Sequence, residues 1–319
     1  MKIIVTGGAG FLGSRVIKSL LANGGGKDGV PNFTSIVSVD LVPCPVQDAR
    51  VTSVSGDIGD SAFVQSVVTA DTVGIYHLAA VLSGGSEDNF DLSMRVNVEG
   101  TRTLLEAARA TGNCPRFIFT SSLAVFGGSM PDVVPEDQAL FPASTYGAQK
   151  AIGEFLVNDY SRKGYVDGRV CRLPTISVRP GKPNSAASSF ASGILREPLN
   201  GLVSNCPVPL DTRMWLSSPD VAVANLVHAI AVDGDQIGTW RTLNIPGICV
   251  TVAEMLNSLE NIGGKKARAL VTEKPDNHVI RIVCSWPGAF EVSRTIALGF
   301  TADGNFDDVV RQHQNEFTA

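Results

Sequence analysis

The sequence predicts an α/β protein, a doubly wound parallel sheet followed by a smaller α+β part. Three observations carry that expectation. Short β-branched runs alternate with amphipathic helical stretches through the first 173 residues. A glycine string, Gly7-Gly8-Ala9-Gly10-Phe11-Leu12-Gly13, stands between the first run and the first helix. Beyond Pro174 the alternation gives way to a stretch rich in Pro, Ser, Asn and Gly.

Lys2–Val5 reads as a buried strand stopped by Thr6-Gly7-Gly8. Phe11, Leu12, Val16, Ile17, Leu20 and Leu21 recur at helical spacing, and Asn23-Gly24 ends that helix. A polar Gly24–Phe33 loop leads to a second strand, Ser35–Leu41. Strand, helix, strand implies a parallel pair with a right-handed crossover. A third apolar run precedes Gly56-Asp57. Val73–Leu78 is the next strand, Asp88–Ala110 a long helix, Arg116–Ser121 a strand, Ser144–Arg162 a helix and Arg169–Leu173 a strand. Residues 174–219 read as loops and short helices around one apolar pair, Ile194-Leu195. Asp220–Val232 is a helix with Asp220 as its expected N-cap. Arg241–Ile245 is expected to rejoin the main sheet. Thr251 and Glu254 have capping-box spacing at the head of a Thr251–Asn261 helix, and a small α+β tail follows.

Composition narrows the function. The 319 residues are 44% hydrophobic and 18% charged, with a formal net charge of −5. That balance argues against a basic nucleic-acid surface. The longest charge-free apolar run of helical character, Val221–Val232, falls short of the roughly 20 residues a membrane span needs. The N-terminal apolar stretch is too short for a signal peptide. A cytoplasmic protein is expected. Six cysteines, the nearest two 35 residues apart, make no C-x-x-C pair, and the four histidines lack H-E-x-x-H spacing. No metal site is expected.

The glycine string satisfies G-x-x-G-x-x-G through Gly7, Gly10 and Gly13, and G-x-G-x-x-G through Gly8, Gly10 and Gly13. Both place backbone N–H groups of Phe11 and Leu12 and a helix N-terminus against a pyrophosphate. An acid should follow to bind the adenosine ribose. Asp40 ends the second strand, 27 residues past Gly13 rather than the usual ~20, because of the Gly24–Phe33 loop. A carboxylate there accepts from both ribose hydroxyls and repels a 2′-phosphate, and no Lys or Arg follows before Arg50. NAD is therefore expected over NADP. Asp57-Ile58 reads either as flanking the adenine or as a turn with a cap.

Tyr146 and Lys150, spaced i, i+4, share a helix face. A free phenol, with a pKa of about 10, is a poor base at neutral pH, and lowering it by about three units takes roughly 4 kcal/mol. A neighbouring ammonium supplies part of that in a dry site. Ser122 follows the Arg116–Ser121 strand, at the carboxyl end where such sheets bind ligands.

Taken alone, Tyr-x-x-x-Lys is common. Here it accompanies the glycine string, Asp40, His77-Leu78-Ala79-Ala80, Asn97-Val98-Glu99-Gly100-Thr101 and Thr120-Ser121-Ser122. That set, in that order, resembles the extended short-chain dehydrogenase/reductase family, relatives of the nucleotide-sugar epimerases and dehydratases. The resemblance is specific over residues 1–180 and looser beyond. It implies a Rossmann fold, Ser122, Tyr146 and Lys150 as catalytic triad, and a cofactor lined by Leu78, Ala79, Ala80, Asn97, Ser121, Leu173, Thr175 and Ile176. It also implies a homodimer, formed by pairing the Asp88–Ala110 and Ser144–Arg162 helices with their copies in a four-helix bundle. Both helices carry more apolar positions than one sheet contact needs.

Members acting on sugar nucleotides usually carry an Asn-containing stretch after the last strand of the first part. Here it reads Leu173-Pro174-Thr175-Ile176-Ser177. With Ser188-Ser189-Phe190 and Arg196-Glu197-Pro198-Leu199, this looks like a branch that oxidises the C2 hydroxyl of a four-carbon sugar acid, D-erythronate, with NAD. A sugar acid needs a cation for its carboxylate, and Arg179, Lys182 and Arg213 are the candidates. Ser83 is either a substrate contact or a loop serine. The expected division is an NAD-binding part over 1–173, rejoined by 241–246, and a substrate part over 174–240 and 247–319. The rival readings are a nucleotide-sugar epimerase or dehydratase, and a redox sensor that binds NAD without turnover.

Overall fold

Six strands form in the first part: β1 (Lys2–Thr6), β2 (Ser35–Asp40), β3 (Val51–Ser55), β4 (Thr72–His77), β5 (Arg116–Ser122) and β6 (Asp167–Leu173). The computed structural model describes residues 1–181 and 188–317. Further on lie β7 (Thr175–Ile176), β8 (Ser204–Cys206), β9 (Arg213–Ser217), β10 (Thr242–Asn244), β11 (Ile248–Thr251) and β12 (Val271–Glu273). The main sheet has the order β10-β6-β5-β4-β1-β2-β3, and every neighbouring pair in it is parallel. The strand order reverses between β1 and β4, which opens a crevice at their carboxyl ends.

Residues alternate across the sheet as a buried parallel strand requires. Ile3 and Val5 face a layer with Val16, Ile17, Leu226 and Ile230. Ile4 faces the other, with Leu104, Leu105, Phe119 and Val157. The apolar residues of the two faces belong to separate clusters, so a one-residue slip of β1 would exchange both faces. A separate apolar cluster holds the later residues together through Ile194, Leu195, Leu216, Met255, Leu259 and Val310.

The later region departs from expectation. Ile194-Leu195 belong to an 11-residue helix, Ser189–Leu199, and Arg213–Ser217 is a strand at the centre of a β11-β9-β7 sheet. The pattern there is irregular because both elements pack on residues far along the chain. The helix expected from Asp220 is Pro219–Ala231, and its N-cap is Ser218, whose Oγ accepts from Val221 N at 3.2 Å. Proline takes the first helical position, where its missing N–H costs nothing. Asp220 sits in the first turn and pairs with Arg15 at 2.8 Å. Thr251 and Glu254 form the capping box of Val252–Arg268, a helix broken at Gly264.

The expected Asp88–Ala110 helix is also broken. Ser83–Asp88 is a separate short helix, and Asn89 ends it and caps Phe90–Ser93. Met94–Glu99 then winds as a π-helical turn before Gly100–Thr111. The wider turn lets Asn97 reach sideways, a common use of π turns near functional sites. Among the described residues no helix is long and apolar enough to cross a membrane.

Candidate active site

A cavity of about 660 Å³ follows the crevice from the glycine loop to the later region. Gly7, at the end of β1, has φ +70°, and a Cβ on it would stand 2.7 Å from Ala79 N. A Cβ on Gly13 would stand 2.1 Å from Gly7 O. Gly7, Gly10 and Gly13 line the cavity. Gly8 instead faces Ser38, whose Oγ a Cβ would meet at 2.2 Å. The structure thus realises the wider-spaced glycine reading, with Gly8 serving the β1–β2 contact. The helix Phe11–Asn23 begins with no side-chain cap and no acid in its first turn, so its N-terminus is left to an anion.

Asp40 closes β2 beside this loop. Its carboxylate accepts from Leu41 N at 2.7 Å and Ala9 N at 3.1 Å. Asp57 and Ile58 line the same end, with Asp57 Oδ1 accepting from Gly59 N at 2.7 Å. Arg95 pairs with the other oxygen of Asp57. The only Lys or Arg side chains among the described lining residues, Lys150 and Arg179, come from other segments. A glycine cradle, an uncapped helix end and an unaccompanied acid fit NAD.

Farther along the cavity, β5 delivers Ser122, whose Oγ accepts from Ala124 N at 3.2 Å. The helix Thr145–Arg162 packs against β5 and β6 and presents Tyr146 and Lys150. Ser144 caps it, and Glu87 from the short Ser83–Asp88 helix accepts from Thr145 N at 2.7 Å. Lys150 is buried. Its Nζ donates to Thr120 O at 2.8 Å and lies 4.7 Å from the Phe119 ring and 5.6 Å from the Tyr146 ring. The surrounding protein disfavours both charged forms. Burial pushes the Tyr146 phenol up to about 12, with Arg179 pulling it down. Burial pushes Lys150 down to about 7, with Glu154 pulling it up.

The expected lining residues Leu78, Ala79, Ala80, Ser121, Leu173, Thr175 and Ile176 all border the cavity. Asn97 does not, and this is a correction. It is buried behind Val81, accepting from Val81 N at 2.8 Å and donating to Val81 O at 3.0 Å. Its amide also donates to Gln149 Oε1 at 2.7 Å. Asn97 fixes the loop that carries the lining residues rather than lining it. His77 does similar work between β1, β4 and Gly100–Thr111, bonded to Thr6 Oγ1 at 2.8 Å and Thr101 Oγ1 at 2.9 Å.

At the far end stand Ser83, Arg179, Ser188 and Trp286. Arg179 is half-buried, and Arg196 Nη1 holds its carbonyl at 2.8 Å. Arg213 is a correction: it is exposed on β9 and is not among the residues that border the cavity, with its Nε 3.4 Å from Cys249 Sγ. Proximity in sequence to the Pro219–Ala231 helix carries no information about that face of β9. Lys182 lies outside the described residues. Sequence reasoning misses Trp286, while Ser188 belongs to the Ser188-Ser189-Phe190 stretch on which the branch resemblance rests. Nothing local marks Trp286, because the 280s reach the cavity only through tertiary packing. Among the described residues no group of three or more His, Cys, Asp or Glu is placed to hold a metal.

Fold and site together define a dinucleotide-binding α/β protein of the short-chain dehydrogenase/reductase type. The chain belongs to the NAD dependent epimerase/dehydratase family, whose model matches residues 3–245. It is 50% identical to a D-erythronate dehydrogenase of Cupriavidus necator, across 99% of this chain and 98% of that one. It is 43% identical to a D-erythronate dehydrogenase of Haemophilus influenzae, across 98% of each. A solved structure of a nucleoside-diphosphate-sugar epimerase from Agrobacterium tumefaciens superposes with a TM-score of 0.93 at 38% identity, covering 99% of this chain and 94% of that one.

Proposed function

We propose that the protein oxidises the C2 hydroxyl of a short sugar acid to the 2-keto acid, with D-erythronate as first substrate. The observation that carries this is Arg179, which lines the same cavity as Ser122, Tyr146 and Lys150 and whose charge acts on Tyr146. A carboxylate two bonds from the reacting hydroxyl calls for a cation at that place. The names of the Cupriavidus necator and Haemophilus influenzae relatives support the same substrate.

In this reading Ser122 donates to the substrate oxygen, and Tyr146 takes the hydroxyl proton. Lys150, fixed on Thr120 O, holds positive charge beside the phenol. Arg179 grips the carboxylate and also favours the phenolate. NAD, when bound, supplies the hydride acceptor. Gly7, Gly10, Phe11, Leu12, Gly13, Asp40, Asp57 and Ile58 are assigned to its adenosine and pyrophosphate half. The epimerase reading draws on the likeness to the Agrobacterium tumefaciens structure. The two readings differ in what Arg179 would hold, the C1 carboxylate of a sugar acid or the diphosphate or uronate group of a sugar nucleotide.

Removing Arg179 tests this directly. Losing the partner of a desolvated charge costs ~2–5 kcal/mol. Arg179→Ala should therefore raise the KM for the sugar acid at least about thirtyfold by that figure, with NADH affinity nearly unchanged in a fluorescence titration. An unchanged KM would place the carboxylate elsewhere.

The reading includes a homodimer and a reducing compartment, taken to be the cytoplasm. The dimer draws on Ile152 and Phe155, exposed on Thr145–Arg162, with Trp240 packed 6.3 Å from the Phe155 ring. The compartment draws on six cysteines, all free.

A further inference from the structure

The face of Thr145–Arg162 that carries Tyr146 and Lys150 continues, one turn on, to Glu154. That residue is fully buried. Its carboxylate accepts from Arg172 Nε at 2.9 Å and Arg172 Nη2 at 2.7 Å, and from Ser121 Oγ at 2.5 Å. Arg172, on β6, continues to Asn244 Oδ1 on β10 at 3.3 Å and lies 4.8 Å from the Phe126 ring. A buried ion pair is a poor device for stability, because an apolar pair of similar volume does as well or better. Its place says more. Ser121 lines the cavity, and Thr120, one residue earlier, accepts from Lys150.

The charged and titratable groups around Lys150 come from four elements. Tyr146 and Glu154 share its helix. His77 ends β4, and burial holds it neutral by lowering its pKa to about 3. Arg172 stands on β6, locked to Glu154. Arg179 lies past β7 and acts on Tyr146. Of these groups, Glu154 alone brings a negative charge toward the lysine.

We propose that Glu154 is a positioning residue: held as a carboxylate by Arg172 and Ser121, it keeps Lys150 an ammonium and thereby keeps the Tyr146 phenolate within reach. This rests on the Tyr146–Lys150 roles given above. With one proton between them, the two residues are either phenolate and ammonium or phenol and amine. Both states hold the same number of protons, so local charge, not pH, sets their ratio. Removing the charge of Glu154 favours phenol and amine. The plateau of kcat/KM then falls, and its acidic limb moves to lower pH by the logarithm of the same factor. Far below the limb the two enzymes converge. A merely structural defect lowers the rate at every pH and leaves the limb in place.

The experiment compares Glu154→Gln and Glu154→Asp with the unmodified protein. Three readouts are taken: kcat/KM for D-erythronate against pH, NADH binding, and the ¹⁵N resonance of the Lys150 amine, assigned by Lys150→Met. Glu154→Gln should lower the plateau about tenfold and move the limb and the amine titration down by about one pH unit, with NADH binding little changed. Glu154→Asp should restore the limb. A folded Glu154→Gln with limb and amine both unmoved overturns the proposal. If that variant does not fold, Glu154→Leu with Arg172→Met removes the pair as a pair. Arg172 leaves with Glu154, so the amine should titrate lower by less than in Glu154→Gln, and an amine that stays in place or titrates higher overturns the proposal. If no sugar acid is oxidised but the amine moves, the substrate reading fails and the role of Glu154 stands.

Discussion

At the scale of single residues, the central contrast is between Tyr146 and the side chains that only hold things in place. Tyr146→Phe keeps the ring against its neighbours and removes one hydroxyl. NADH affinity should stay within a few-fold, while kcat drops by the ~10²–10⁴ typical of a general acid–base group. Stopped-flow turnover together with a fluorescence titration checks both halves, and near-normal turnover would dismiss Tyr146 as the base. Residues of this kind are legible in the sequence. Tyr146 with Lys150 and the glycine string rest on short spacings, which need only one helix or one turn to become geometry, and Ser122 rests on its place at the carboxyl end of a strand. Asn97 and Arg213 are misplaced by the same reasoning because a side chain's direction depends on what packs beside it. Asn97 points to Val81 through a π-helical turn that no propensity announces. Arg213 lies on a strand whose register is set by residues 248–251.

At the scale of elements, β1, β4 and β5 can be read from largely apolar runs, as buried parallel strands require, while the edge strand β3 is half exposed and carries only two valines. The later elements cannot be read in that way. β7, β8 and β12 are two or three residues long, and their pairing partners lie up to 67 positions away. The segment after Asn277–Val283 shows the functional cost of that gap. It delivers Trp286, half-buried, to the substrate end of the cavity, where it packs with clusters containing Trp215, Phe290 and Met214. On the proposed reading, a large ring there sets the length of sugar acid the cavity accepts. Trp286→Ala should shift the kcat/KM ratio of five- or six-carbon aldonates to D-erythronate upward by about tenfold or more, the scale on which a pocket reads one carbon. A competition assay between aldonates measures the ratio. No change in it would leave Trp286 without a part in specificity.

At the scale of the whole molecule, the sheet and the later region meet along one cavity, and the exposed Ile152, Phe155 and Trp240 lie outside it. A patch of this kind on a long helix suits a two-fold contact between copies. The unmodified protein should therefore scatter light as a dimer at micromolar concentration, and Phe155→Asp should scatter as a monomer. A monomeric unmodified protein would refute the assembly. The central claim, NAD-linked oxidation of a short sugar acid, is tested most directly by incubating the protein with a panel of aldonates and nucleoside-diphosphate sugars, each with NAD and with NADP, and following the absorbance of the reduced nucleotide. The expected result is reduction with D-erythronate and NAD, at least about tenfold slower reduction with NADP because of Asp40, and none with the nucleotide sugars. Turnover of a nucleotide sugar with no response to any aldonate would contradict it.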